Sequence, residues 1–190
     1  MRCLICQSLS FKIVCKECQK RLLVPSFYKR ELTKDFFVYS FYKFDEVQEF
    51  INTKYEFYGD KVYNILGSLS FGKFGQNFAF ANSIYAIGID DHTRHQFSHT
   101  AILAKHLKSK FIIPKYDLLK AKNHVKYAGK NLQFRKKNKR DFLYKGKQNI
   151  QVILVDDVIT TGTTILEAKE VLEKNNCEVL FVLCISDANI

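Results

Sequence analysis

Residues 149–165, NIQVILVDDVITTGTTI, run from an apolar stretch through two adjacent carboxylates into a loop of threonines around one glycine. The apolar part, 149–155, reads as a buried strand, and Thr163 to Asn175 reads as a helix. A second apolar run, CEVLFVLCIS at 177–186, follows at once. Strand, helix and strand in this order pack as a crossover unit with parallel strands. The same order occurs upstream: SIYAIGI at 83–89 is a strand, and KFIIP at 110–114 is another. Between them, Thr93 to Lys108 reads as a helix with Ala101, Ile102, Leu103, Ala104 and Leu107 facing inward. Two such units predict an α/β fold, a mainly parallel sheet flanked by helices on both faces. Ligands of such sheets sit beyond the carboxyl ends of the strands, where residues 90–93 and 156–164 both fall.

The first half is less regular. KDFFVYSFYKF, 34–44, is aromatic and β-branched and reads as one or two strands, a strand pair being the preferred reading. Asp45 is a good N-cap for a helix that Gly59 would stop. Helical spacing continues at Val62, Ile65, Leu66 and Leu69, then loosens around Gly67, Gly72 and Gly75. Pro25 and Ser26 mark the exit from a cysteine-bearing unit at 1–24, leaving 25–190 as the principal domain.

The loop after the carboxylates has the chemistry of a phosphate cradle. A strand ending at Val155 would present Asp156 and Asp157 at the top edge of the sheet. The following helix offers unpaired N–H groups near Thr161 to Thr164. Gly162 admits close backbone approach, and the hydroxyls of Thr160, Thr161, Thr163 and Thr164 add donors. Carboxylates aimed at a phosphate would repel it, so their natural partners are hydroxyls, as on a sugar. Phosphate plus vicinal diol describes a phosphorylated ribose. A Walker loop needs a Gly-Lys-Ser/Thr ending that is absent here.

The longest clear apolar run, VLFVLCI at 179–185, is far short of a bilayer span, and the N-terminal residues lack the pattern of a signal peptide. A cytoplasmic location is the expectation, and a reducing compartment turns six cysteines away from disulfides. Cys3-x2-Cys6 and Cys15-x2-Cys18 form two knuckles that can offer four thiolates to one tetrahedral zinc. Such a closed set is structural; redox CxxC chemistry and reduced core thiols are the other readings. Cys177 and Cys184 lie in or beside an apolar strand and read as buried small hydrophobes.

The net charge of +11 is concentrated. Residues 120–147 hold eleven Lys or Arg against the single acid Asp141. Lys126, Lys130, Arg135, Lys136, Lys137, Lys139 and Arg140 form its centre, with Tyr127, Phe134, Phe142 and Tyr144 interleaved. Cations that follow a backbone and aromatics that stack on unpaired bases suit single-stranded nucleic acid. A solvated loop with buried aromatic anchors is the alternative. His92, His95 and His99 cluster in sequence without a third metal ligand in a recognised pattern, and read as polar surface.

Taken in order, the apolar residues, Asp-Asp, two apolar residues and Thr-Thr-Gly-Thr-Thr resemble the phosphoribosyl diphosphate (PRPP) loop of type I phosphoribosyltransferases. The resemblance implies that Asp156 and Asp157 bind the ribose hydroxyls and that Thr160 to Thr164 hold the 5′-phosphate. It also implies that Asp91 and His92 lie where the diphosphate sits, with Mg²⁺ arriving on PRPP. With the cysteine unit in front, the chain resembles the ComF/ComFC competence proteins. Lys54, Tyr55, Gly59 and Asp60 match that family's Lys-Tyr and Gly-Asp, and Arg135 and Asn138 its Arg-x-x-Asn. RHQFSHTAILAK is similar to its Arg-Gly-Phe-Asn-Gln-Ala stretch, with the Arg-Gly and Asn-Gln pairs replaced by His95, Gln96, Ser98 and His99. These departures bear on catalysis more than on PRPP binding. The resemblance implies a cytosolic protein of natural transformation that binds PRPP and single-stranded DNA and works with inner-membrane DNA-translocation machinery. Its alternative is a salvage phosphoribosyltransferase acting on a nucleobase or related acceptor.

Overall fold

The computed structural model describes residues 1–89, 97–123, 133–134, 138 and 140–190. After a short helix α1 (Lys16–Leu22), the chain forms β1 (Tyr28–Thr33), β2 (Phe36–Lys43), α2 (Phe44–Asn52), a 3₁₀ turn (Thr53–Tyr55), α3 (Gly59–Leu69) and α4 (Phe71–Asn77). There follow β3 (Ile84–Gly88), α5 (His99–His106), β4 (Ile112–Lys115), β5 (Leu119–Ala121), β6 (Phe142–Tyr144), β7 (Gln151–Ile159), α6 (Thr163–Lys174) and β8 (Glu178–Asp187).

Six strands make one sheet in the order β1-β2-β8-β7-β3-β4, parallel from β2 to β4, with β1 antiparallel at the edge. The alternation of side chains along each strand feeds two cores. Ile84, Ala86, Ile153, Val155, Leu183 and Ile185 join the core under the helices of the first half. Ile87, Val152, Leu154, Val182 and Cys184 join the core beneath α6 and the β5–β6 ribbon. The expected α/β architecture with helices on both faces is therefore what forms. Val14 and Leu23 of the cysteine unit are buried in the first of these cores, beside Phe41, Val47 and Tyr63. Both Cys177 and Cys184 are buried in the second.

Four local expectations change. Residues 36–43 form a single strand, and its partner is β1, whose polar YKRELT alternates half-buried and exposed as an edge strand does. No apolar period marks it. Gly59 does not stop a helix but opens α3, and a Cβ there would come 2.1 Å from the Thr53 carbonyl oxygen. α2 instead begins at Phe44 with Lys43 as its N-cap and gives way to the 3₁₀ turn after Asn52. The third change concerns β7, which continues four residues past Val155 because β8 is long enough to pair with it as far as Ile159 with Asp187. The carboxylates thus belong to the strand and not to the loop after it. Finally, the described part of α5 starts at His99 with the Ser98 hydroxyl accepting from the Ala101 N–H. Residues 93–96 of the expected helix lie outside the described residues. Leu103, Ala104 and Leu107 are buried as expected, whereas Ala101 and Ile102 are only half-buried.

Candidate functional site

Asp156 and Asp157 are consecutive residues of β7 and leave the strand in alternate directions, yet a carboxylate oxygen of each lies within 4.8 Å of the other and of His99. Asp157 is 4% exposed and meets a prepared environment. Its Oδ2 accepts from Lys54 Nζ at 2.7 Å and lies 3.0 Å from the Tyr63 hydroxyl, while its Oδ1 accepts from the Val158 N–H at 2.8 Å. His99 Nε2 is 3.8 Å from Oδ2, and its ring packs edge-on to Tyr63. Burial alone would raise this carboxyl, but the Lys54 and His99 charges outweigh it and hold Asp157 below the usual carboxylate range. The same pairing raises Lys54 despite the opposing effect of its burial. Tyr63, pushed well above its ordinary value by burial and by Asp157, remains a neutral donor.

Asp156 is the opposite case. Half-buried, its Oδ1 accepts from the Asp157 N–H at 2.8 Å. Burial and then the neighbouring Asp157 push its carboxyl well above the ordinary range, and the cations Lys54 and Arg140 only partly offset them. Two adjacent carboxylates are thus held with one firmly ionised and the other destabilised as an anion.

Beyond them, Gly162 caps α6 with φ +77°, a left-handed conformation that glycine alone adopts freely. The Thr161 and Thr163 hydroxyls are 3.0 Å apart at the mouth of the helix, and the first-turn N–H groups have no intrahelical partner. Thr160, Thr163 and Thr164 are half-buried and Thr161 is exposed. The structure therefore brings Asp156, Asp157 and Thr160 to Thr164 onto one edge of the sheet, as the spacing implied. Asp91 and His92 lie outside the described residues.

The cysteine unit gathers Cys3, Cys6, Cys15 and Cys18 so that all four Sγ atoms lie within 4.8 Å of one another. A tetrahedral zinc with Zn–S bonds of about 2.3 Å requires sulfur pairs about 3.8 Å apart, and Cys6 Sγ and Cys15 Sγ are 3.7 Å apart. The backbone N–H groups of Cys15 and Cys18 donate to Cys3 Sγ and Cys15 Sγ at 3.3 and 3.4 Å, which favours thiolates. Burial would raise Cys3, yet donors from Cys15, Cys6 and Ile5 bring it to about 6. Cys18 is raised to about 12, by burial and then by the other thiols. Four crowded thiols resist full ionisation unless a cation shares their charge, so the donor set fits one divalent ion. His99, Asp156 and Asp157 also place ligand atoms within 4.8 Å of one another.

Of the basic segment, Lys126, Lys130, Arg135, Lys136, Lys137 and Lys139 lie outside the described residues, as does Tyr127. Arg140 is half-buried, its N–H donates to Glu167 Oε2 at 3.0 Å, and its cation acts on Asp156. Two interleaved aromatics change role: Phe142 and Tyr144 are 5% and 8% exposed and anchor the β5–β6 ribbon in the core, where no base can stack on them. Lys122 and Asp141, next to the β5–β6 ribbon, pair at 3.2 Å.

Lys54, Tyr63 and His99 surround Asp157, and sequence reasoning gave none of them a role at the carboxylates. Lys54 stood out only as half of a Lys-Tyr pair. Tyr63 sits within an ordinary amphipathic period, and His99 read as polar surface. Contact across about a hundred residues of chain leaves no local mark.

Asp156→Asn keeps an oxygen for the Asp157 N–H while removing a charge that burial opposes. Because the folded-state pKa of Asp156 is raised, its contribution favours folding below the ordinary carboxylate range and is lost as pH rises through the raised value. Near neutral pH the variant should therefore be more stable, by about 1–3 kcal/mol. At roughly 2–4 °C per kcal/mol in a chain of this size, calorimetry at pH 7.5 should show a rise in the unfolding midpoint.

No curated protein matches the chain. Among solved structures it is similar to a hypoxanthine phosphoribosyltransferase from Staphylococcus aureus, with a TM-score of 0.37 and 15% identity over 74% of this chain. It spans 64% of that enzyme's length. It is also similar to an adenine phosphoribosyltransferase, with a TM-score of 0.43 and 16% identity, covering 90% of this chain and 88% of the other. Residues 101–189, from α5 to just past β8 and including the carboxylate pair and threonine loop, match the family model of the phosphoribosyl transferase domain.

Proposed function

We propose that the chain binds PRPP at Asp156, Asp157 and Thr160 to Thr164. In this reading the ribose hydroxyls lie on the carboxylates, and the 5′-phosphate lies on the α6 N-terminus and its threonines. The observation that carries it is the pairing of an ionised, anchored Asp157 with a strained Asp156 beside a glycine-capped helix mouth. Asp157 offers a fixed acceptor, and Asp156 gains most from a hydroxyl donor that stabilises its anion. Asp91 and His92 would face the diphosphate. Mg²⁺ would come with PRPP and neutralise the diphosphate charge; His99, Asp156 and Asp157, whose ligand atoms lie within 4.8 Å of one another, are a candidate set to meet it. Titration calorimetry with Mg²⁺-PRPP should show binding by the wild type and a loss of roughly 10-fold or more in Asp156→Asn. Equal affinity in the two proteins would remove PRPP from this edge.

The protein's role, in the same reading, is in natural transformation. It binds single-stranded DNA through Lys126, Lys130, Arg135, Lys136, Lys137, Lys139 and Arg140, and assists DNA transport at the inner membrane with its translocation machinery. A zinc ion on Cys3, Cys6, Cys15 and Cys18 stabilises the N-terminal unit, 1–24, against the domain at 25–190. The concentration of eleven cations in 120–147 supports the DNA contact, as does the ComFC-like order of cysteine unit, helix and PRPP loop. With two aromatics withdrawn into the core, binding should be mainly electrostatic, so anisotropy of labelled DNA should fall steeply with salt. No DNA binding at low salt would leave the segment as a solvated loop with buried aromatic anchors. In that case the salvage reading, favoured by the match over 101–189, is the one to pursue by assaying diphosphate release with each common base.

A further inference from the structure

Arg30 lies on β1, at the sheet edge and outside the span that matches the family model. Its Nε donates to Asp187 Oδ2 at the end of β8, and its Nη2 donates to the Thr160 carbonyl oxygen at 2.9 Å. Asn189 Nδ2 donates to the same carbonyl at 2.6 Å, and the Asn189 N–H donates to Asp187 Oδ1 at 3.0 Å. Asp187 is fully buried and Arg30 is 24% exposed. Two donors, one of them charged, therefore converge on one carbonyl at the start of the threonine loop. Two residues along the same face of β1, Leu32 lies under Gly162, where a Cβ would come 2.7 Å from Leu32 Cδ2.

A trans peptide is planar, so its C=O and the following N–H point in opposite directions. Among the described residues there are no cis peptides. Holding the Thr160 oxygen toward Arg30 and Asn189 thus turns the Thr161 N–H away from β1. Without those donors the peptide is free to rotate, and a carbonyl turned the other way would set a partial negative charge where an anion must sit.

We infer that Arg30, braced by Asp187 and Asn189, is a positioning residue for the phosphate loop: it fixes the Thr160–Thr161 peptide so that the Thr161 N–H and the α6 N-terminus address one phosphate. The inference rests on the PRPP reading and assigns part of that site to an edge strand that itself touches no ligand. Arg30 is suited to the task because a planar fork can bond a carboxylate and a carbonyl at once, which an ammonium serves poorly.

The test is titration calorimetry with Mg²⁺-PRPP on the full-length zinc-loaded wild type and on Arg30→Gln, Arg30→Lys and Glu31→Ala. Unfolding midpoints and the Thr161 amide resonance are recorded on the same samples. Glu31 accepts from the Asp35 N–H at 3.0 Å in the β1–β2 turn, so its loss loosens the hairpin without touching the loop. Arg30→Gln should lose about 10- to 100-fold in affinity, Arg30→Lys should fall between it and the wild type, and Glu31→Ala should bind as the wild type does. The Thr161 amide should shift on ligand addition in the wild type and not in Arg30→Gln. Should the glutamine variant not fold, a loss of affinity in folded Arg30→Lys carries the same weight. Wild-type affinity in the Arg30 variants, or an equal loss in Glu31→Ala, overturns this inference alone. Absence of binding by the wild type overturns the PRPP reading and this inference with it.

Discussion

Lys54→Met should destabilise the protein by about 3–5 kcal/mol near neutral pH, because it strands the Asp157 carboxylate in the core without its cation. The methionine replaces the lysine stem in length, so little packing is lost and the effect isolates the charge. In the wild type the folded-state pKa of Asp157 is lowered. Its contribution is therefore present above the ordinary carboxylate range and lost as acid carries the pH down through the folded value. Lys54 is raised, so its own contribution is present below the ordinary lysine range and lost as pH rises through the folded value. The pair is thus at full strength over the whole neutral range. With Lys54 gone, burial opposes only His99 and the Val158 N–H, so the lowered pKa of Asp157 should rise. Stability of the variant should then gain less than that of the wild type as pH rises from acid towards neutral. Adding Asp157→Asn to Lys54→Met should restore much of the loss, since an amide has no charge to strand. Chemical denaturation from pH 4 to 8 on the three proteins checks all of this. A pH profile in Lys54→Met parallel to that of the wild type would mean that Asp157 finds another cation, with His99 the nearest at 3.8 Å.

If the four cysteines hold the proposed zinc, its removal should have an effect of similar or greater size. Ile13, Val14 and Leu23 are 7%, 0% and 1% exposed, and they pack into the same core as Phe41, Val47, Ile51 and Tyr63. Detaching the unit would return three large apolar side chains to water, roughly 1.5–3 kcal/mol each. A strong chelator, or Cys6→Ser with its thiol exposed and its packing slight, should lower the unfolding midpoint by roughly 10 °C or more. Hydrogen exchange should quicken in β2 and α2, which form the other side of that contact. An unchanged midpoint after verified metal loss would show that the unit holds itself by its apolar contacts alone.

These two sites differ in how much of them is written locally. The four cysteines stand within sixteen residues, and their spacing alone implies two knuckles on one ion; folding adds the 3.7 Å approach of Cys6 and Cys15. The carboxylate pair and the threonine loop are likewise continuous in the chain, so the proposed site for a phosphate beside a diol can be named before any fold is known. Repeated apolar runs of strand and helix length likewise imply a parallel sheet, because only right-handed crossovers join such runs compactly.

Partners that meet across the sheet left no such trace. β1 is a polar edge strand without a buried period, and its existence depends on β2 offering an open edge. The length of β7 depends on β8, whose pairing carries it past the carboxylates. Lys54, Tyr63 and His99 reach Asp157 from three different helical segments, and Arg30 reaches Thr160 from 130 residues away. Phe142 and Tyr144 looked like stacking surface among lysines until the ribbon folded them inward. Local order along the chain thus named the groups proposed to touch a ligand. Their ionisation and orientation were decided by tertiary structure, since burial and a distant cation, not the neighbouring residue, govern the free energy of a charge.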